Sequence, residues 1–427
     1  MGSLGHIRAQ WARCEPHAGK PHAGSHRTQC RGFRGVGDAR ADKMSPMSVL
    51  MSVPISGECD DRFAPVRAAF AGNFADRGEV GAAVCVMVHG NVVVDLVGGW
   101  TDELNTRPWQ PDTIVNFYSV GKAIVALLAL QLVDAGLIGL DDPIASVWPE
   151  FGVGGKEAAT LRHALCHRAG VPAIRATLTN DDLWNWQTMT TALAAADAWW
   201  PPDSRHTYHT NTYGHLIGEI VRRVSGQMPG KRLRDVVDPL VADVHFGVST
   251  DDQYRCADVI WAPARSGADP DFSQLSGEAL MIAQGYFNPP GYSSGGVVNS
   301  PEWRGAQIPS TNGHGSATGV ARIYAALIGS QPLLSPDLLA EATRPQSQGY
   351  CPVLGEETVF GLGFKPTSER RPFGPNQRSF GHFGTGGALG FADPDSGVAF
   401  GYVMNHVIPR WQSTRNRSLI DAVFACL

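Results

Sequence analysis

The chain has 427 residues, 43% of them hydrophobic, enough to bury a large core as one big domain or two subdomains. A net charge of −5 gives no reason to expect nucleic acid as a partner, and no apolar run is long and charge-free enough to span a membrane. Eight cysteines stand singly with no Cys-x-x-Cys pair, which argues against a metal site or disulfide framework and for mostly reduced, buried thiols in a cytoplasmic setting.

Residues 1–45 are rich in His and Arg and lack both hydrophobic periodicity and the apolar stretch of a secretory signal, so they read as a disordered tail. Met44, Met47 and Met51 offer alternative starts. Folded structure is expected from about Asp60, with a first amphipathic helix carrying Phe63, Val66, Ala69, Phe70 and Phe74. The β-branched runs Ala82 to Val88 and Val92 to Val97, joined by His89-Gly90-Asn91, form a hairpin.

Asn116 to Ala135 is the stretch the rest is organised around: Asn-Phe-Tyr-Ser-Val-Gly-Lys followed by an apolar run that reads as a buried helix, ended by Gly136. Ser119 and Lys122 lie three residues apart on one face at the start of that helix. A serine hydroxyl needs a neighbouring base to become a nucleophile, and a lysine kept partly neutral by burial can be one. The alternative is mundane, an N-cap serine and a solvated lysine. Against it stands the apolar context of Lys122, flanked by Val120, Gly121, Ala123 and Ile124, and the absence of any other Ser-x-x-Lys in the chain.

Thr160 is expected to cap a short helix through Cys166, and Asn180 to Ala198 to form a helix whose neighbourhood carries Trp184, Trp186, Trp199 and Trp200. Tyr208 to Gly214 then forms a loop that delivers side chains just before a helix through Val224. A tyrosine hydroxyl beside a lysine ammonium has its pKa lowered and can exchange protons with it. Gly291-Tyr-Ser293-Ser-Gly295 matches the G-x-S-x-G nucleophile elbow, but the surrounding prolines and glycines do not supply the strand before it and helix after it that the elbow requires. His314 lies in a glycine-rich turn before a helix over Ala317 to Leu327 and reads as structural. The C-terminal portion carries four predicted strands, Val359 to Phe364, Ser379 to Gly384, Ala388 to Ala392 and Val398 to Met404, and a final helix with Leu419, Val423 and Phe424.

Ser119-Val-Gly-Lys122, Tyr208-His-Thr210 and His382-Phe-Gly384, in this order, resemble the signature motifs of the serine β-lactamase-like superfamily: Ser-x-x-Lys, Tyr-x-Asn and Lys-Thr-Gly or its His-x-Gly variant. The chain is similar to the class C-like branch, with its β-lactamases, penicillin-recognising peptidases and family VIII carboxylesterases, and Leu161 to Pro172 is similar to a further segment of that branch. The resemblance runs from about residue 60 to the C-terminus. It implies an α/β (α+β) fold of the β-lactamase/transpeptidase type: an antiparallel sheet flanked by the N- and C-terminal helices, with residues 60–115 and 295–427 forming the α/β part and 116–294 an inserted, mostly helical subdomain. It also implies Ser119 as acylated nucleophile, Lys122 and Tyr208 as general base, and the backbone N–H groups of Ser119 and Thr385 as oxyanion hole. His382, Gly384, Thr210 and Asn211 would contact substrate, with no cofactor and no metal.

Two departures shift the expected substrate. Thr210 stands where the pattern has Asn, with Asn211 next door, and His382-Phe383 replaces the Lys-Thr pair that would hold a β-lactam carboxylate. Loss of a permanent cation favours small, uncharged esters, hence a carboxylesterase of class EC 3.1.1. Also open are a β-lactamase or D-amino-acid peptidase or amidase, an acyltransferase, and a scaffold or covalent binder without turnover. Neither the acyl length nor the oligomeric state is legible in the sequence.

Overall fold

The computed structural model describes residues 53–261, 270–293, 297–408 and 413–427, so the His/Arg-rich tail lies outside the described residues. A seven-stranded antiparallel sheet forms the backbone of the unit from Pro54 onward. Its first strand, β1 (Ile55–Cys59), precedes the point where folding was expected to begin. It pairs along the strand Asn91–Gly99, with Gly57 at φ +108°, where a Cβ would meet the Asp95 carbonyl at 2.1 Å. With only Ile55 of β-branched character and a glycine at its centre, the strand carries almost no propensity signal of its own.

Helix α1 (Ala64–Asp76) buries Val66, Phe70 and Asn73. The predicted hairpin is β2 (Gly81–Val88) and β3 (Asn91–Gly99), with His89 and Gly90 both at positive φ in the turn. Helix α2 (Val120–Asp134) is buried along nearly its whole length and ends before Gly136 in the left-handed region. The run expected as one helix over Asn180 to Ala198 is two, Asn180–Leu183 and Trp186–Ala195, because the Asn185 side chain accepts from the Thr188 N–H and restarts the helix. Helix α3 (Thr212–Ser225) follows the Tyr208 loop, and α4 (Gly277–Phe287) and α5 (Ala317–Ile328) come later.

Of the expected strand Val359 to Phe364 only Val359 and Phe360 are strand, and they lie outside the main sheet. A separate hairpin, β4 (Ser347–Cys351) with β5 (Glu356–Phe360), ends at Phe360, and the main sheet resumes at β6 (Lys365–Pro366). The break falls on Gly361 and Gly363. A Cβ at Gly361 would meet the Ala342 carbonyl at 2.2 Å, and one at Gly363 (φ +82°) would meet Ala126 of α2 at 2.0 Å. The sheet is completed by β7 (Phe380–Phe383), β8 (Leu389–Asp393) and β9 (Val398–Met404), in the spatial order β1-β3-β2-β9-β8-β7-β6. Thus β9 pairs with β2 from the other end of the chain, Val398 opposite Val88 and Met404 opposite Ala82. Helix α6 (Thr414–Ala425) docks beside α1. Of the cysteines, the six described are free thiols, with Cys85, Cys166, Cys256 and Cys351 buried. Among the described residues no helix is long and apolar enough to cross a membrane.

Candidate active site

Ser119 sits at the N-terminal end of α2, but its side chain makes no capping hydrogen bond. The residue before it, Tyr118, is held at φ +52°, a conformation that non-glycine residues adopt at a cost of about 1–3 kcal/mol. The hydroxyl is instead met by Lys122 Nζ at 3.1 Å. Lys122 is fully buried, and its other partners are two backbone carbonyls, Thr210 O at 2.6 Å and Ser310 O at 3.0 Å. Burial pushes its amine well below the ordinary lysine range. A neutral amine has two N–H groups and one lone pair. With the two carbonyls taking both hydrogens, the lone pair of such an amine would be left for the proton of Ser119.

The seat for this amine is a backbone wedge that sequence reasoning missed. Pro309 and Ser310 lie between α2 and α3, and both helices approach through glycines. A Cβ on Gly121 would meet Pro309 O at 2.1 Å, and one on Gly214 would meet Ser310 N at 2.5 Å. A glycine in the first turn of each of two helices is the signal that could have found it. Gly121→Ala should therefore move the Ser310 carbonyl off Lys122 and lower kcat by about 10²-fold while the circular dichroism spectrum persists. An unchanged kcat would show that the wedge can yield.

The Tyr208 loop brings its residues together unevenly. Tyr208 is buried with its ring centre 4.9 Å from Lys122 Nζ, and it stacks on Phe360 at 5.6 Å. Its phenol does not follow the expected direction: burial raises it well above its ordinary value, opposed by its hydrogen bond with the Ser119 side chain. Desolvation of the buried ring is the largest influence and outweighs that hydrogen bond. Tyr208 is thus a protonated phenol, able to donate a proton and not a resting base. Thr210 contributes its carbonyl to Lys122. Asn211 is occupied elsewhere: its Nδ2 donates to Gly285 O at 2.6 Å, and its Oδ1 accepts from Thr311 Oγ1 at 3.2 Å. It fastens the loop to α4 and to the Pro309–Ser310 wedge.

On the sheet side, Gly384 follows β7, and a Cβ there would meet the Phe117 carbonyl at 2.3 Å, so only a glycine lets this strand end lie against the approach to Ser119. Among the described residues, the N–H groups of Ser119 and Thr385 donate to no other protein group. His382 is buried, and its Nδ1 donates to Phe383 O at 2.7 Å, which fixes the tautomer. Burial first, then the neighbouring Lys365 and Lys122, push its imidazole well below 6.5, so it carries no charge at neutral pH.

His167, in the left-handed region at φ +67°, packs against Tyr208, Tyr213 and Phe360 and accepts from His209 N at 3.2 Å. It is a further residue around the site whose role the linear spacing did not disclose. His314 bonds to Asn312 O at 2.7 Å, is pushed down to about 3 by burial, and is structural as expected. Trp184 packs on Trp303, whereas Trp199 and Trp200 flank a small apolar cluster around Tyr208 with Met281, Cys351 and Phe360. Ser293 ends a short 3-10 turn preceded by helix α4 and not by a strand, and the rest of that elbow, Ser294-Gly295, lies outside the described residues.

A serine held at 3.1 Å against a buried lysine at a helix N-terminus, with the amine pushed well below its ordinary range, fits a serine hydrolase. The chain belongs to the Beta-lactamase family, whose model matches residues 66–423. It is 32% identical over 369 residues to the esterase/beta-lactamase LipL of Mycobacterium tuberculosis, covering 83% of each chain. Among solved structures it is similar to a family VIII carboxylesterase, with TM-score 0.80 and 32% identity over 88% of this chain and 100% of that one. A penicillin-binding protein homolog from Caulobacter crescentus gives TM-score 0.78 and 37% identity over the same shares.

Proposed function

We propose that the chain is a carboxylesterase that cleaves small, uncharged esters through an acyl-enzyme on Ser119. The carrying observation is the Lys122 amine, buried, bonded to two carbonyls and 3.1 Å from Ser119 Oγ. In acylation, Lys122 takes the Ser119 proton as Oγ bonds to the ester carbonyl carbon, and the oxyanion is received by the N–H groups of Ser119 and Thr385. The C–O bond to the alcohol then breaks. The Tyr208 phenol gives its proton to the departing oxygen and is reprotonated from Lys122. In deacylation, water attacks the acyl carbon, its proton passes through Tyr208 and Lys122, and the acid leaves as Ser119 regains its hydrogen. The uncharged His382 supports a preference for esters without a carboxylate to clamp. The names of the esterase relatives favour the same substrate class, and that of LipL favours slow β-lactam cleavage as a second activity.

The test is intact-protein mass and p-nitrophenol release with p-nitrophenyl butyrate. Wild type should show turnover and a transient butyryl adduct, and Ser119→Ala neither. Retention of turnover in Ser119→Ala would overturn the assignment, and its loss in Ser293→Ala alone would move the nucleophile to the elbow.

A further inference from the structure

The structure holds a second buried lysine near Tyr208 that no part of the mechanism above uses. Lys365 is 5% exposed, although it lies on the edge strand β6, where it pairs with Gly381 beside His382. Its Nζ lies 4.0 Å from the centre of the Phe360 ring. Phe360 in turn stacks on Tyr208 with the planes 15° apart, and Tyr208 meets Lys122 Nζ at 4.9 Å. A continuous row of contacts thus joins Lys365, Phe360, Tyr208 and Lys122. His206 also stacks on Phe360, at 5.1 Å, and is fastened to the β4–β5 hairpin by Ser347 Oγ and Thr358 Oγ1.

Resting on the esterase reading, we propose that Lys365 is a positioning residue of the active site: through Phe360 it seats the Tyr208 ring, and from its pairing with Gly381 on the neighbouring strand it acts on His382.

The groups facing Lys365 come from every element around it: Arg371 after β6, Cys351 of β4, Glu356 of β5, His382 of β7 and His206 of the Tyr208 loop. Burial and then Arg371 push the Lys365 amine down, Cys351 and Glu356 pull it back, and it settles at about 7. Glu356 is itself shared with Arg370 and Arg371, which limits its pull. On acidification through neutrality, a proton enters at Lys365 before His382. The new ammonium then opposes a second proton on the imidazole, because like charges at close range disfavour one another.

The experiment has two readouts. The first is the pH profile of kcat/KM from pH 5 to 9 for wild type, Lys365→Met and Lys365→Arg. The second is the titration of the His382 ring followed by NMR in ¹³C-histidine-labelled protein carrying Ser119→Ala, which requires no turnover, with the signal assigned by His382→Gln. In Lys365→Met the His382 titration and the acid limb of the profile should both move up by about half to one pH unit, while Lys365→Arg keeps the wild-type positions. Lys365→Gln, neutral but polar, gives the same reading where the methionine variant does not fold. If neither the titration nor the limb moves with the fold intact, Lys365 does not act on His382 and the proposal is overturned. Failure of the esterase reading would appear separately, as turnover surviving Ser119→Ala, with the NMR titration unaffected.

Discussion

Lys122→Met is expected to lower kcat by about 10³-fold or more, within the range by which a positioned general base accelerates proton transfer. Methionine is close to lysine in length and occupies the same buried position, so Ser119 and the N–H groups of Ser119 and Thr385 stay in place and only proton transfer is lost. The same variant tests the charge state of the lysine through stability. The folded-state amine lies well below its unfolded value because of burial. Between those two pKa values the unfolded chain binds one proton more than the folded one, so wild-type stability rises with pH and falls as the solution is acidified. Methionine has no such dependence. The Tm of wild type relative to Lys122→Met should therefore drop steadily from pH 10 toward neutrality. The absolute difference at any one pH combines this with the cost of leaving Thr210 O and Ser310 O without a donor, about 1–3 kcal/mol each. The slope is the diagnostic quantity. A pH-independent difference would mean that Lys122 keeps its proton in the folded state and is not the base.

How much of this was readable in advance follows from whether a feature is local. Ser119 and Lys122 share a helix turn, so spacing and apolar context placed them on one face. The β2–β3 hairpin and the loop before α3 declared themselves in the same way, through turn residues next to periodic runs. The partners of Lys122 did not, because they are backbone carbonyls 88 and 188 residues away, and a carbonyl leaves no mark on the residue type that carries it. What the sequence did hold was the negative image of the wedge, in Gly121 and Gly214. Lys365 was hidden for another reason. In Gly-Leu-Gly-Phe-Lys-Pro it reads as the polar end of a strand, and only the split at Gly361 and Gly363 turns it inward beneath Phe360. The direction of the Tyr208 shift is not legible from proximity to a lysine, because desolvation acts on both groups.

Desolvation also governs the largest expected effect on stability, which lies far from Ser119 in sequence. Helix α6 is anchored by Arg415, whose side chain is 1% exposed. Its Nη1 donates to Glu79 Oε1 at 3.0 Å and to His406 O at 2.9 Å, its Nε donates to Arg77 O at 2.9 Å, and its Nη2 donates to Gly78 O. The second oxygen of Glu79 accepts from Tyr402 of β9. Burial pushes the Glu79 carboxyl up to about 7, while Arg415 and then Tyr402 pull against that rise. Arg415→Met should destabilise the fold by about 3–5 kcal/mol, because it strands a buried carboxylate together with three carbonyls that lose their donor. The loss should grow with pH. Below about 7 Glu79 holds its own proton and tolerates the missing guanidinium, whereas above it the variant must either bury a bare charge or take up a proton that the solution withholds. Denaturant midpoints at pH 6 and 8 measure the difference, and adding Glu79→Gln should recover part of the loss at pH 8 but little at pH 6. Equal destabilisation at both pH values, with no recovery in the double variant, would mean that Arg415 anchors α6 through its carbonyl partners alone and that its pairing with Glu79 contributes nothing.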